Sequence, residues 1–224
     1  MRIVLVGAAA FWLVVAAQAD VEVTEIWPGG IAGAETTSDW FELTNYGAAD
    51  VAVSGWYYDD NSNDPTSSDP IEGLTSIAAG ESVILLASWE DDYAIVADAI
   101  ASFEASWDVA NALDNVQIGW VAGGGGLGGG GDAVHVYDGN TAGANTIATQ
   151  TYIGPTAPAS FVTAPDGTWN NELAQVGLWG AYASALPASD APGIGPAIGS
   201  PGRVPEPASL ALLSLGAVAA LRRR

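Results

Sequence analysis

Apolar and polar residues alternate along this chain in short runs, and turn residues interrupt the runs at roughly ten-residue spacing, the rhythm of small β-proteins. Val21-Glu22-Val23-Thr24-Glu25-Ile26 alternates; Trp40-Phe41-Glu42-Leu43-Thr44-Asn45 does so approximately and meets the turn Tyr46-Gly47. Val51-Ala52-Val53 leads through Ser54-Gly55 into Trp56-Tyr57-Tyr58. Asn115–Trp120 and Ala133–Tyr137 alternate again, and Thr146–Ile153 and Gln175–Trp179 carry weaker strand signals. A period of two is the period of a strand with one face buried. Ser82–Ala87 is instead a continuous apolar run, the pattern of a strand covered on both faces. Trp89–Val109, rich in alanine and acid, breaks the rhythm and predicts one or two short helices. Together these elements predict an all-β sandwich or small barrel.

The two ends do not share this rhythm. Arg2 precedes the apolar run Ile3–Ala17, and Ala17-Gln18-Ala19 forms a small-x-small site before Asp20. Residues 1–19 therefore read as a secretory signal peptide cleaved after Ala19, which makes the Sec translocon and a signal peptidase expected partners. At the other end, Val204-Pro205-Glu206-Pro207 precedes the apolar stretch Ala208–Leu221 and the basic cluster Arg222-Arg223-Arg224. The prolines stop preceding structure, and the arginines hold the terminus at an anionic cytoplasmic face. The fourteen residues of this stretch in a helix reach roughly 21 Å at about 1.5 Å per residue, short of a hydrocarbon core of about 30 Å. A span of that length suits transient insertion better than permanent anchoring. Residues 204–224 resemble the PEP-CTERM sorting signal of Gram-negative bacteria. The resemblance implies handling by the membrane enzyme exosortase and delivery to the cell envelope, outer surface or extracellular matrix.

Between these signals lies a body, residues 20–203, that contains almost no positive charge. The five basic residues are Arg2, Arg203 and the three terminal arginines, while all 26 acids except Glu206 fall in the body. Nucleic-acid binding through phosphate neutralisation has no cations to work with. Anionic membranes and anionic polysaccharides are poor partners for the same reason. There is no cysteine, so an exported domain of this size must rest on its core alone. Of nine tryptophans, eight lie in the body and supply large apolar surfaces for that core.

Within the body, Val23-Thr24-Glu25-Ile26, Asp39-Trp40-Phe41-Glu42-Leu43-Thr44-Asn45, Val53-Ser54-Gly55-Trp56 and Ala79-Gly80-Glu81 before an apolar strand stand in order. Gly131-Asp132-Ala133-Val134 and a closing Gly199-Ser200-Pro201-Gly202 follow. This series resembles the lamin-tail domain, which implies an immunoglobulin-like β-sandwich and no catalytic residues of its own. Physically, Trp40 and Trp56 are expected to fill the space between two sheets. Asn45 and Gly47 are expected to supply turn chemistry with positive φ, and Gly55 to bend the backbone before Trp56. Glu25 and Glu42 are expected to face outward into solvent.

Candidate chemistry is sparse. Asp59, Asp60, Asn61, Asn63 and Asp64, with Asp69 close behind, form the densest oxygen-donor loop and a candidate Ca²⁺ site. It is not an EF-hand, because Asp64 replaces the required glycine and Pro70 stands at position twelve. Eight of the nine residues Gly123–Gly131 are glycine, so the G-x-G-x-x-G matches they contain carry no weight. A strand rather than a helix follows, and the run reads as a flexible hairpin loop. His135 alternates with Val134 and Val136 and is expected on the polar face. A body with one histidine and no cysteine makes no histidine-rich zinc site. The expected function is a non-catalytic surface or matrix module that associates with matrix polysaccharide or other surface proteins, with no cofactor except the candidate Ca²⁺. The alternative is a small secreted hydrolase using a pair of carboxylates. A cleft concentrating carboxyls of raised pKa would favour the enzyme, and acids spread over the surface the module.

Overall fold

A computed structural model describes residues 21–29, 38–123, 125–154, 158–164, 167–188 and 195–203. The expected signal peptide and the sorting tail, with its expected apolar helix, lie outside the described residues.

The architecture is an immunoglobulin-like, all-β sandwich. Its strands are β1 (Val21–Trp27), β2 (Asp39–Asn45), β3 (Val51–Ala52), β4 (Tyr57–Asp59), β5 (Asp69–Glu72), β6 (Ser76–Ile77) and β7 (Ser82–Ala87). After a helix α1 (Val96–Trp107) come β8 (Gln117–Val121), β9 (Gly131–Tyr137), β10 (Thr146–Ile153), β11 (Phe161–Val162), β12 (Glu172–Leu173), β13 (Tyr182–Pro187) and β14 (Pro196–Gly199). Ten strands form one curled sheet in the order β10-β9-β4-β5-β8-β7-β2-β1-β11-β12, and β13-β14 and β3-β6 form two small ladders. Among the described residues every pairing between these strands is antiparallel except β7 with β8, and an isolated bridge of Ala159 with Ile198 is parallel.

The curl turns one sheet into two layers, and β5 is the corner. Its first half pairs with β4 (Tyr57 with Pro70, Tyr58 with Asp69), and its second half pairs with β8 (Ile71 with Val121, Glu72 with Trp120). A strand that changes partners midway is the usual way a sheet folds over on itself. The inner faces meet in a core of Val21, Val23, Ile26, Phe41, Leu43, Val83 and Leu85 against Trp56, Tyr58, Val134, Val136, Ala148 and Tyr152. Phe41 stacks on Tyr58 with ring centres 5.1 Å apart.

The outer face of β1, β2 and β7 is covered as well. Helix α1 buries Ala99, Phe103, Ser106 and Trp107, one stripe at helical spacing, onto Trp27, Trp40, Ile84 and Leu86. Trp40 therefore lies under the helix, edge-on to Phe103 and Trp107 with centres 5.7 and 5.5 Å away, and not between the two sheets as expected. Trp56 does lie between them. The third layer continues with β13 and β14, where Tyr182 donates its hydroxyl to the Trp107 carbonyl at 2.7 Å. Strands β2 and β7 are buried along their whole length in consequence.

The predicted strands before residue 154 all form, and Trp89–Val109 holds a 3-10 turn (Trp89–Asp91) and α1. The segment Gln175–Trp179 is not a strand; it is a pair of tight turns, with Trp179 and Gly180 both at positive φ. Asn45 and Gly47 do not use positive φ. Buried Asn45 works through its amide instead, accepting from Gly47 N and donating to the carbonyls of Ala49, Ile77 and Ala78. Gly55 does bend the backbone, at φ +86°, with open space where a side chain would stand.

Candidate functional site

The strongest departure from expectation is the pair Glu25 and Glu42. Strand alternation for Glu42, and alternation past a bulge for Glu25, place both on the outer face of the sandwich, away from Ile26, Phe41 and Leu43. That face is not solvent: each glutamate is 1% exposed. A bulge between Val23 and Glu25 sets their register, since Val23 pairs with Leu43 and Glu25 then pairs directly with Glu42. Were Thr24 paired in the ladder instead of bulged, Glu25 would share the face of Val23 and point into the apolar core.

The donors to the pair come mainly from the chain after residue 158. Glu25 Oε1 accepts from Ser200 N at 2.7 Å and from the Ser160 hydroxyl, and its Oε2 accepts from the Ser200 hydroxyl at 2.8 Å. Glu42 Oε2 accepts from Gly202 N at 2.7 Å, and its Oε1 accepts from the Thr24 hydroxyl at 2.6 Å. A buried hydroxyl chain continues from Thr24 to Thr44 (2.8 Å) and on to Ser82 (2.6 Å). Burial pushes Glu25 up to about 7, against the pull of Ser160 and Ser200. Burial first, and the neighbouring Glu25 second, push Glu42 up to about 8.

The acid loop is built differently. Buried Asp59 accepts from Ser62 Oγ and from Asp64 N at 2.7 Å. Asp60 accepts from Ser62 N, and Asp64 caps the 3-10 turn Pro65–Ser67 by accepting from Thr66 N and Oγ1. Asn63 Oδ1 accepts from the Tyr137 hydroxyl, and Asn61 N donates to Asp132. Asp69 stands apart, beneath the glycine run, and accepts from Gly125 N. Among the described residues no three acids or histidines gather as a metal cluster.

The glycine run is a strap and not a hairpin loop. It joins β8 to β9, which are separated in the sheet by β5 and β4. Buried Leu127 anchors it, and Leu127 N donates to Asp39 Oδ2 at 2.7 Å. Gly128 N donates to Asp132 Oδ2 at 2.7 Å, and the Gly128 carbonyl accepts from the Tyr152 hydroxyl at 3.0 Å. A Cβ at Gly123 would stand 2.1 Å from the Asp69 carboxyl carbon, so glycine is needed here for close approach. His135 is half-buried and meets Thr149 Oγ1 at 2.7 Å, with no serine nucleophile beside it among its hydrogen-bond partners. Burial lowers its pKa, against the raising influence of Asp59, Asp60 and Asp132.

A sandwich whose two most strongly perturbed acids are sealed inside, holding its own chain, is compatible with a non-catalytic module. The chain belongs to the lamin tail domain family, which matches residues 15–154. Residues 203–224 match the PEP-CTERM protein-sorting motif, which indicates export, exosortase processing and a surface or extracellular destination in bacteria. No curated protein and no solved structure matches the chain. Ser160, Ser200 and Gly202 lie beyond the family match, so their bonds join the matched domain to the segment that follows it.

Sequence reasoning placed Glu25 and Glu42 on the correct face and missed their burial. One signal was present in the run Val23-Thr24-Glu25-Ile26, where two polar residues separate two inward apolar ones and so announce a bulge. The cover over the pair comes from segments more than a hundred residues downstream in sequence, which local periodicity does not reach.

Proposed function

We propose that the chain is an exosortase-sorted module of the cell surface or extracellular matrix of a Gram-negative bacterium, acting by binding or packing and not by catalysis. The observation that carries this reading is the enclosure of its two most strongly raised carboxyls. A hydrolytic pair must reach its substrate, and Glu25 and Glu42 are 1% exposed behind Ser160, Ser200 and Gly202. For the pair to work as general acid and base, the C-terminal segment would first have to leave. The acidic body favours uncharged matrix polysaccharide or other surface proteins as partners over anionic ones. A calcium-linked association through the 59–69 loop would require Asp59 and Asp64 to exchange hydrogen bonds inside the loop for the ion.

Removal of residues 204–224, followed by fractionation of cells and medium, tests the address. The full chain is expected in the envelope or surface fraction, and the truncated chain is expected to leave it. Identical distributions would refute sorting by the tail. Glycan or ester hydrolysis by the purified protein that disappears in Glu42→Gln would refute the non-catalytic part.

A further inference from the structure

Two acids directly opposite each other on neighbouring strands, sealed from water and both bonded to the short segment Ser200–Gly202, form an arrangement with two states. We propose that Glu25 and Glu42 form a proton-operated latch that holds the segment Ser200–Gly202 against β1 and β2, and that loss of the pair's proton opens it.

The closed state follows from the donor set. With one proton on the pair, a single negative charge is met by two backbone N–H groups, Ser200 N and Gly202 N, and by the hydroxyls of Thr24, Ser160 and Ser200. Hydroxyl groups turn freely between donating and accepting, so the same shell serves either tautomer. When the second proton leaves, two like charges face each other across one register position in a dry layer. Burial and repulsion then act in the same direction. The part of the shell best able to yield is the C-terminal segment, because β1 and β2 are held on both sides by the main sheet. Its departure would admit water to both carboxylates.

The other charged groups around the pair do not replace that proton. Tyr182 of β13 faces both glutamates and is held neutral well above its ordinary value by burial and then by Glu25. Tyr46, just after β2, is held neutral likewise, by burial and then by Glu22 and Glu42. Asp108, at the end of α1, adds negative charge near Tyr182. Arg203, next to Gly202, is the cation whose field reaches this region, acting on Tyr182 against the two glutamates. The latch residues also sit immediately before the sorting motif that begins at 203, so the domain end and the start of the tail would loosen together.

Hydrogen exchange of the full chain, kept in mild detergent for its apolar tail, reads this directly. Protection factors of the Ser200 and Gly202 amides are expected to fall by about tenfold or more between pH 6 and pH 9, while amides of β2 and β7 keep theirs. Glu42→Gln removes one ionisation and keeps an amide oxygen for Gly202 N, so its latch should stay protected at pH 9. Should that variant not fold, carboxyl carbon shifts of Glu25 and Glu42 in the unaltered chain give the same answer: titration near neutrality in step with Gly202 is expected. Flat protection of Ser200 and Gly202 across this range, or both carboxyls fully ionised at pH 6 with the segment still protected, would overturn the latch.

Discussion

At the scale of single residues, the structure turns on places where one atom has no room to move. Gly199 is the clearest: a Cβ there would stand 2.8 Å from Glu25 Oε1 and 3.0 Å from the Trp107 ring. Both neighbours are buried and fixed, so Gly199→Ala is expected to cost about 1–3 kcal/mol as overpacking. A shift in the urea midpoint at unchanged slope would measure it, and an unaffected midpoint would mean that the C-terminal segment is not seated as described. The glycine strap follows the same logic with the opposite reading from sequence. Low complexity predicts a flexible tether, yet Leu127 and the carboxyls of Asp39, Asp69 and Asp132 pin the run at several points. Glycine serves close approach there as much as freedom.

Secondary-structure elements show why strands were readable and their surroundings were not. The period-two pattern of β1, β2, β9 and β10 reflects the inner core, which each strand meets through its own residues. Helix α1 was legible as an alanine-rich exception, but its docking site was not. Trp107 ties it down, with ring centres 5.5 Å from Trp40, 6.0 Å from Trp27 and 6.0 Å from Tyr182. Trp107→Ala should cost about 3–5 kcal/mol, the range for deleting a buried aromatic. Chemical unfolding followed by circular dichroism would show it, and a loss under about 1 kcal/mol would contradict helix α1 as a covering layer. The short strands β11 to β14 lack a clear alternation of their own. They exist because β1 offers β11 an edge and because Ala197 and Ile198 meet surfaces made by the rest of the fold.

For the whole molecule, charge and burial combine in the dependence of stability on pH. Glu25 and Glu42 are both raised above the ordinary 4.5, so between that value and their folded values the native chain holds protons that the unfolded chain has released. Their contribution is complete below about pH 4.5 and is lost as pH rises through about 7 and about 8. Exposed carboxylates have finished titrating by about pH 6, so a decline in stability from pH 6 to 9 belongs chiefly to this pair. Urea midpoints should fall across that interval for the native sequence and fall less for Glu42→Gln. A flat profile would contradict the pair's raised protonation. Added salt should relieve the general repulsion of a chain with net charge -21 while leaving the decline in place, because buried charges are screened far less than exposed ones.

The sequence by itself determined the sorting address at the C-terminal end, the all-β class and the strands before residue 154 that touch the inner core. These follow from local composition and from a two-residue period, which need no knowledge of what lies across the molecule. Only the tertiary structure decided that the outer face of β1 and β2 is dry, that Trp40 belongs under a helix, and that Glu25 and Glu42 share a sealed site. Burial of an outward face depends on which distant segment comes to cover it. Here the cover is assembled from α1, Ser160, β13, β14 and Ser200–Gly202, brought onto strands that precede them by up to about 180 positions.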